Sequence, residues 1–375
     1  MGRGLRQDAL PGAAAAGGSA GTRPARTADD PAAIGDSAAA ELVDAHHHVW
    51  DLARRPQPWL AEEGREVLRR SFGTADLVAD AAAGLGGRRL AATVLVQCLH
   101  STPETEELLA LAANDPLVAG VVGWADLTRP DVGAELDRLR ALPGGERLVG
   151  LRHLVQAELD PRWLLRPDVG RGLSELEARG LRFDLLVLPH QLPAAVALAR
   201  RRPGLALVLD HAAKPPLRSG DLASWAADLA ALAAAGPVAC KLSGLVTEAG
   251  PGWSLAGLRP AAEQVLSAFG PARTMFGSDW PVCRAAGGWA AWAEAAAERL
   301  DPLTAAERDE VLQGTARRCY GLGASRTGTA LTGTALTGTN PAGTNPAGTN
   351  PAGTGPAGTG PDPGPGRAPS RLQEV

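Results

Sequence analysis

The chain has 375 residues, 45% of them hydrophobic and 21% charged, enough to bury a large core in one big α/β domain or two small ones. Its formal net charge is −4 and no long run of Lys or Arg occurs. The electrostatic footprint of a nucleic-acid or anionic-membrane partner is therefore missing, and a small-molecule substrate is the expectation, with the oligomeric state left open.

Residues 1–40 are rich in Ala, Gly, Arg and Asp without helical or strand periodicity and read as a disordered leader. The longest apolar run there, Ala13 to Ala16, is too short for a signal sequence, and no segment of the chain reaches the roughly 18 apolar residues of a membrane span. Cys98, Cys240, Cys283 and Cys319 stand far apart without a CxxC pair, which argues against a disulfide framework and a zinc ribbon. The expected location is the cytoplasm.

From residue 41 to 324 short β-branched or leucine-rich runs alternate with longer Ala/Leu/Arg segments of helical character. The runs fall at 42–45, 92–97, 118–124, 148–154, 182–187, 206–210, 238–242 and 274–277. Eight strands, mostly followed by helices, predict a (β/α)8 TIM barrel with its active site at the C-terminal strand ends. A doubly wound sheet would usually open on a glycine-rich phosphate loop, and no such loop follows any run. Residues 325–375 repeat Thr-Gly-Thr-Ala-Leu and then Asn-Pro-Ala-Gly-Thr, a low-complexity composition that predicts a disordered tail.

The polar residues at the strand ends form a specific set. Strand one ends in Asp44-Ala45-His46-His47-His48. The strand period of two puts His46 and His48 on one face and turns His47 away. Strand six leads to His211, and strand eight runs into Asp279, which meets the strand-one histidines only if the barrel closes. Of seven histidines, His46, His48, His153, His190 and His211 follow or end strands; His100, after strand two, stays unassigned. A lone histidine at a strand end is more often a hydrogen-bonding residue than a ligand, so the weight lies in the joint occurrence.

Asp44-Ala45-His46-His47-His48-Val49-Trp50-Asp51 with Pro58-Trp59-Leu60 resembles the opening of the fuconolactonase-like amidohydrolases. Gly123-Trp124, Gly150-Leu151-Arg152-His153, Leu209-Asp210-His211 with Lys214-Pro215, Lys241-Leu242-Ser243-Gly244, and Gly277-Ser278-Asp279-Trp280-Pro281 extend the likeness over about residues 42–323. Gly314-Thr315-Ala316 departs from the Asn-Ala pair usual there. The resemblance implies an amidohydrolase-type barrel that opens a sugar lactone, such as L-fucono-1,5-lactone, to the hydroxy acid. Lys214 and Lys241 are the only two lysines and neither is on strand four, so a dinuclear site bridged by a carboxylated lysine is excluded.

Lactone hydrolysis needs a deprotonated water and a stabilised oxyanion. Asp279 is the candidate general base. His46, His48 and His211 would either polarise the carbonyl directly or, with Asp279, hold one divalent ion such as zinc as Lewis acid. Both branches, metal-free and mononuclear, stand open. Six of nine tryptophans, Trp50, Trp59, Trp124, Trp163, Trp253 and Trp280, fall around the expected mouth. Trp50 and Trp280 are candidate platforms for a sugar ring, against the plainer reading that they pack loops. Arg152, His153 and His190 are candidate contacts for hydroxyls or a carboxylate, buried pairing being the other reading for Arg152. The alternative function is a zinc-dependent decarboxylase of the same superfamily, which uses a similar set of residues. An inactive barrel serving as a binding module would rest on the tail alone.

Overall fold

A computed structural model describes residues 40–323, so the expected leader, residue 40 aside, and the expected tail lie outside the described residues. All eight expected runs are strands: β1 (Glu41–His47), β2 (Arg89–Val96), β3 (Val118–Gly123), β4 (Leu148–His153), β5 (Arg182–Leu185), β6 (Leu207–Leu209), β7 (Val238–Leu242) and β8 (Thr274–Phe276). They form one sheet in sequence order, and each hydrogen-bonded pair is parallel. The seam is closed by a parallel bridge between His47 and Trp280. His48 N donates to Trp280 O at 2.7 Å and Asp279 N to His46 O at 2.8 Å. Closure thus runs through the residues expected to carry the chemistry.

Helices fill the crossovers: α1 (Thr74–Asp80), α2 (Thr102–Asn114), α3 (Val132–Arg140), α4 (Pro167–Ala178), α5 (Leu192–Arg201), α6 (Ala223–Ala235), then α7 (Leu245–Ala249) and α8 (Leu255–Phe269) between β7 and β8. After β8 come α9 (Gly288–Leu300), α10 (Ala305–Asp309) and α11 (Thr315–Tyr320). Where a helix must start sharply, a side chain caps it. Ser101 Oγ accepts from Glu104 N at the start of α2, and Thr304 with Glu307 forms a capping box before α10, each cap worth about 1 kcal/mol.

The strands are buried on both faces, as parallel strands covered by helices must be. Outward residues such as Leu95, Leu151, Phe183, Leu209 and Phe276 pack with Leu109, Leu136, Leu173, Leu229 and Val265 of the helices. A second core fills the barrel floor. There Val43, Ala45, Val94, Val122, Val208, Ala239 and Met275 meet Ala316, Tyr320 and Leu322, so that α11 and Leu322, two residues past its end, plug the bottom. In the stretch that departs from the usual Asn-Ala pair, Thr315 donates to Pro271 O at 3.1 Å and Ala316 joins this floor.

Six of the strands end one or two residues before the expected runs, among them β6 at Leu209 and β8 at Phe276. Beyond β6, His211, Ala212, Ala213 and Lys214 all have positive φ, between 49° and 58°, and beyond β8 Asp279 has φ 56°. After β6 the left-handed run starting at His211 departs from the strand conformation and ends the ladder, whereas after β8 the single left-handed residue Asp279 is followed by the bridge from Trp280 to His47. In β1 a register shift between Asp44 and His47 re-aims the chain: Ala45 still joins the floor while His46 already points into the barrel.

Candidate active site

Above the apolar floor lies a layer of buried charge. Lys241 Nζ, on β7, is 2.6 Å from Asp184 Oδ2 of β5 and 2.9 Å from Asp210 Oδ1. Tyr320 OH of α11 donates to Asp184 Oδ2 at 2.7 Å, tying the floor plug to this layer. Arg152 Nη1, from β4, donates to Asp210 Oδ2 at 3.1 Å, and its Nε and Nη2 donate to Gln97 Oε1 at 3.2 and 3.0 Å. Two cations thus meet two carboxylates, and the charges balance where water does not reach. Burial opposes ionisation of Asp210, yet Lys241, His46 and Arg152 together hold its carboxyl well below the usual range. Lys241 and Ser243 both face inward, and Ser243 Oγ lies 2.9 Å from His211 Nδ1.

On this layer sit the histidines. His46 Nδ1 faces Lys241 Nζ at 3.1 Å and Asp210 Oδ1 at 3.4 Å, and its Nε2 is 3.3 Å from Arg152 Nη1 and 3.2 Å from His48 Nε2. His48 Nδ1 donates to Val96 O at 2.8 Å, which leaves its Nε2 lone pair directed into the site. Asp279 Oδ1 completes the cluster, 3.5 Å from His48 Nε2, 3.8 Å from His211 Nε2 and 3.9 Å from His46 Nε2. Burial, followed by the charge of Lys241, keeps His46 neutral, and burial lowers His211 to about 4. For Asp279 burial acts the other way, but His211 and His48 outweigh it and hold the carboxyl below its ordinary value. The result is an anionic acceptor beside the neutral imidazoles of His46 and His211.

These residues suit a metal ion as well as a water. His46, His48 and Asp279 form one compact ligand group, and His46, Asp210 and His211 another. The separations of 3.2–3.9 Å among the ε-nitrogens of His46 and His48 and Asp279 Oδ1 are near the edge, about 3.3 Å, of a tetrahedron with metal–ligand bonds of about 2.0–2.1 Å.

A small cavity opens on the cluster, lined by His48, Arg152, His211, Lys214, Thr247 and Asp279 among others. The expected site residues divide around it. His46, His48, His211 and Asp279 come together, and Arg152 lines the cavity from below. His153 points elsewhere: its Nε2 meets Glu158 Oε1 at 2.7 Å, and its ring is stacked between His100 and Trp163, with centroids 4.0 and 3.9 Å away. His190 stands exposed after β5 and does not line the cavity.

The two tryptophans expected as sugar platforms are packed instead. Trp280 is 0% exposed, with Nε1 donating to Asp80 Oδ2 at 2.8 Å and the ring edge-on to Phe72. Trp50 donates to Arg70 O at 2.7 Å and packs edge-on against Trp59 and Phe72. A larger groove beside α2 includes Trp50 but none of the histidines or Asp279. Neither ring lines the cavity over Asp279, and the fully buried Trp280 has no surface to offer a substrate.

Sequence reasoning passed over Asp44, Gln97, Asp184 and Tyr320. Asp44 Oδ1 accepts from Ser278 N at 2.8 Å and His46 N at 3.2 Å, fastening the end of β1 to the loop after β8. The available signal was polarity at an inward-facing position: Asp184 alternates with Phe183 and Leu185, whose side chains pack outward.

Residues 43–322 match the family model described as Amidohydrolase. The L-fucono-1,5-lactonase of Burkholderia ambifaria is 39% identical over 284 residues, covering 74% of this chain and 94% of that protein. The L-fucono-1,5-lactonase of Burkholderia multivorans is 40% identical over 297 residues, covering 75% and 96%. A crystal structure of a Burkholderia multivorans amidohydrolase with bound zinc is 38% identical, with a TM-score of 0.69 over 76% of this chain and all of that one. A 5-carboxyvanillate decarboxylase from Sphingomonas paucimobilis, at 16% identity and a TM-score of 0.51 over 76% of this chain and 98% of that one, shares the fold alone.

Proposed function

This chain belongs to the amidohydrolase family, and from that membership we propose that it hydrolyses a sugar 1,5-lactone of the L-fucono type to the open hydroxy acid. The observation that carries this reading is Asp279: an ionised carboxylate at the mouth of the barrel, within 3.9 Å of three imidazole nitrogens and lining the cavity. A carboxylate so placed accepts a proton from a water as the water oxygen bonds to the lactone carbonyl carbon. The carbonyl pair moves onto oxygen, toward the Arg152 guanidinium and the ring of His211. Collapse of this tetrahedral species breaks the bond to the ring oxygen, which leaves with the proton held by Asp279. His46, His48, His211 and Asp279 would also hold a divalent ion such as zinc, whose chemistry there is Lewis-acid polarisation of the carbonyl. Of the expected substrate contacts, Arg152, which lines the cavity, is carried forward as a partner for the carbonyl.

The decarboxylase alternative is not favoured, since relatives at 39–40% identity are named lactonases and the decarboxylase shares only the fold. The test is acid release from a panel of aldonolactones, followed with a pH indicator beside carbon dioxide release from aromatic acids. Asp279→Asn keeps the shape but cannot take up the proton, so kcat should fall by about 10²–10⁴ with an unchanged circular dichroism spectrum. Parental turnover by this variant would overturn the mechanism.

A further inference from the structure

The cavity over Asp279 has one wall that the hydrolytic step does not use. Lys214 lines it at the end of the left-handed run that starts at His211, with its side chain 11% exposed. Four consecutive non-glycine residues in this region cost about 1–2 kcal/mol each, and such strain persists only where the surroundings impose it. This turn carries His211 and Lys214 to the same cavity. The nearest carboxylate oxygen to Lys214 Nζ, Glu248 Oε1, is 3.7 Å away, longer than a hydrogen bond. Beside it, Thr247 Oγ1 is buried and has no hydrogen-bond partner. An unpaired buried hydroxyl costs about 1–3 kcal/mol, so the protein carries a penalty there that a ligand would remove.

We propose that Lys214 and Thr247 form a subsite for the hydroxyl on the carbon next to the lactone carbonyl, with the Lys214 ammonium donating to that oxygen and Thr247 Oγ1 accepting its proton. The placement rests on proximity: Lys214 and Thr247 share a cavity with Asp279 and His211, where the carbonyl is attacked, which brings a substituent on the adjacent ring carbon within their reach. The charge of Lys214 is felt at both Asp279 and His211, consistent with that proximity. Lys214 and Thr247 are thus specificity-determining residues, and the inference rests on the lactonase reading above.

The test compares an aldono-1,5-lactone with its 2-deoxy counterpart. In the unmodified protein the ratio of kcat/KM should favour the hydroxylated ring, and in Lys214→Met and Thr247→Val that ratio should drop by about 10–100-fold, the worth of a lost hydrogen bond to a charged or buried group. The corresponding lactams, bound and not turned over, should show the same loss of preference by calorimetry. Thr247→Val adds a second readout, because removing an unpaired hydroxyl should leave the melting temperature equal or higher. A purely structural role would lower activity on both lactones alike and leave the ratio untouched, which overturns the proposal. So would a Thr247→Val protein that melts several degrees lower, because the hydroxyl would then have a partner within the protein. If the unmodified protein hydrolyses neither lactone, the lactonase reading has failed, and the lactam preference alone decides the subsite.

Discussion

Trp280 and Asp279 are neighbours in sequence with opposite surroundings, and each predicts a different measurement. The Trp280 indole is enclosed by Phe72 and Asp80, so Trp280→Ala should cost about 3–5 kcal/mol and appear as a lower melting temperature rather than as a selective rise in KM. Asp279 is held below the ordinary carboxylate value. Its basic form is therefore present above that lowered value and is lost only as the pH falls through it. The acid limb of kcat/KM should lie below about pH 4, with a flat profile between about 5 and 7. A limb near pH 6 would assign the essential base to another group. Both residues stand after a strand in the sequence, and that much was legible. Whether a side chain then turns to the cavity or into the wall depends on local backbone and neighbours that a linear pattern does not contain.

At the scale of elements, the eight strands were legible because each is a short apolar run buried on both faces. The end of β6 was not, because the left-handed run from His211 to Lys214 carries no glycine to announce the turn. The charged layer was missed for a related reason: Lys241, Asp184, Asp210 and Gln97 are contributed singly by four strands or strand ends, and only closure of the sheet makes them one network. Lys241 sits between two buried carboxylates. Lys241→Met leaves both without their shared cation and should destabilise the barrel by about 3–5 kcal/mol in denaturant titrations. A loss under about 1 kcal/mol would mean that the layer is held chiefly by Arg152 and Tyr320.

For the molecule as a whole, burial lowers His47 and His100 to about 3 and His211 to about 4. In an unfolded chain each would titrate near 6.5. The folded state favours their neutral forms, so their contribution is complete above about pH 6.5 and is lost as the pH falls from there toward 3–4. Melting temperatures should begin to drop below pH 6.5, before most carboxylates titrate, and a curve flat from pH 7 to 4.5 would contradict the burial of these rings. The fastening of Asp44 to Ser278 has a consequence of another kind, since the two residues are 234 positions apart. At ordinary rates of synthesis, about 5–20 residues per second, Ser278 leaves the ribosome at least about 12 s after Asp44. During that interval β1 has no closing partner, and the buried carboxylate of Asp44 lacks the backbone donor of Ser278. The nascent barrel is an open sheet with an uncovered edge, the state in which a helper that shields strand edges would matter most to its yield.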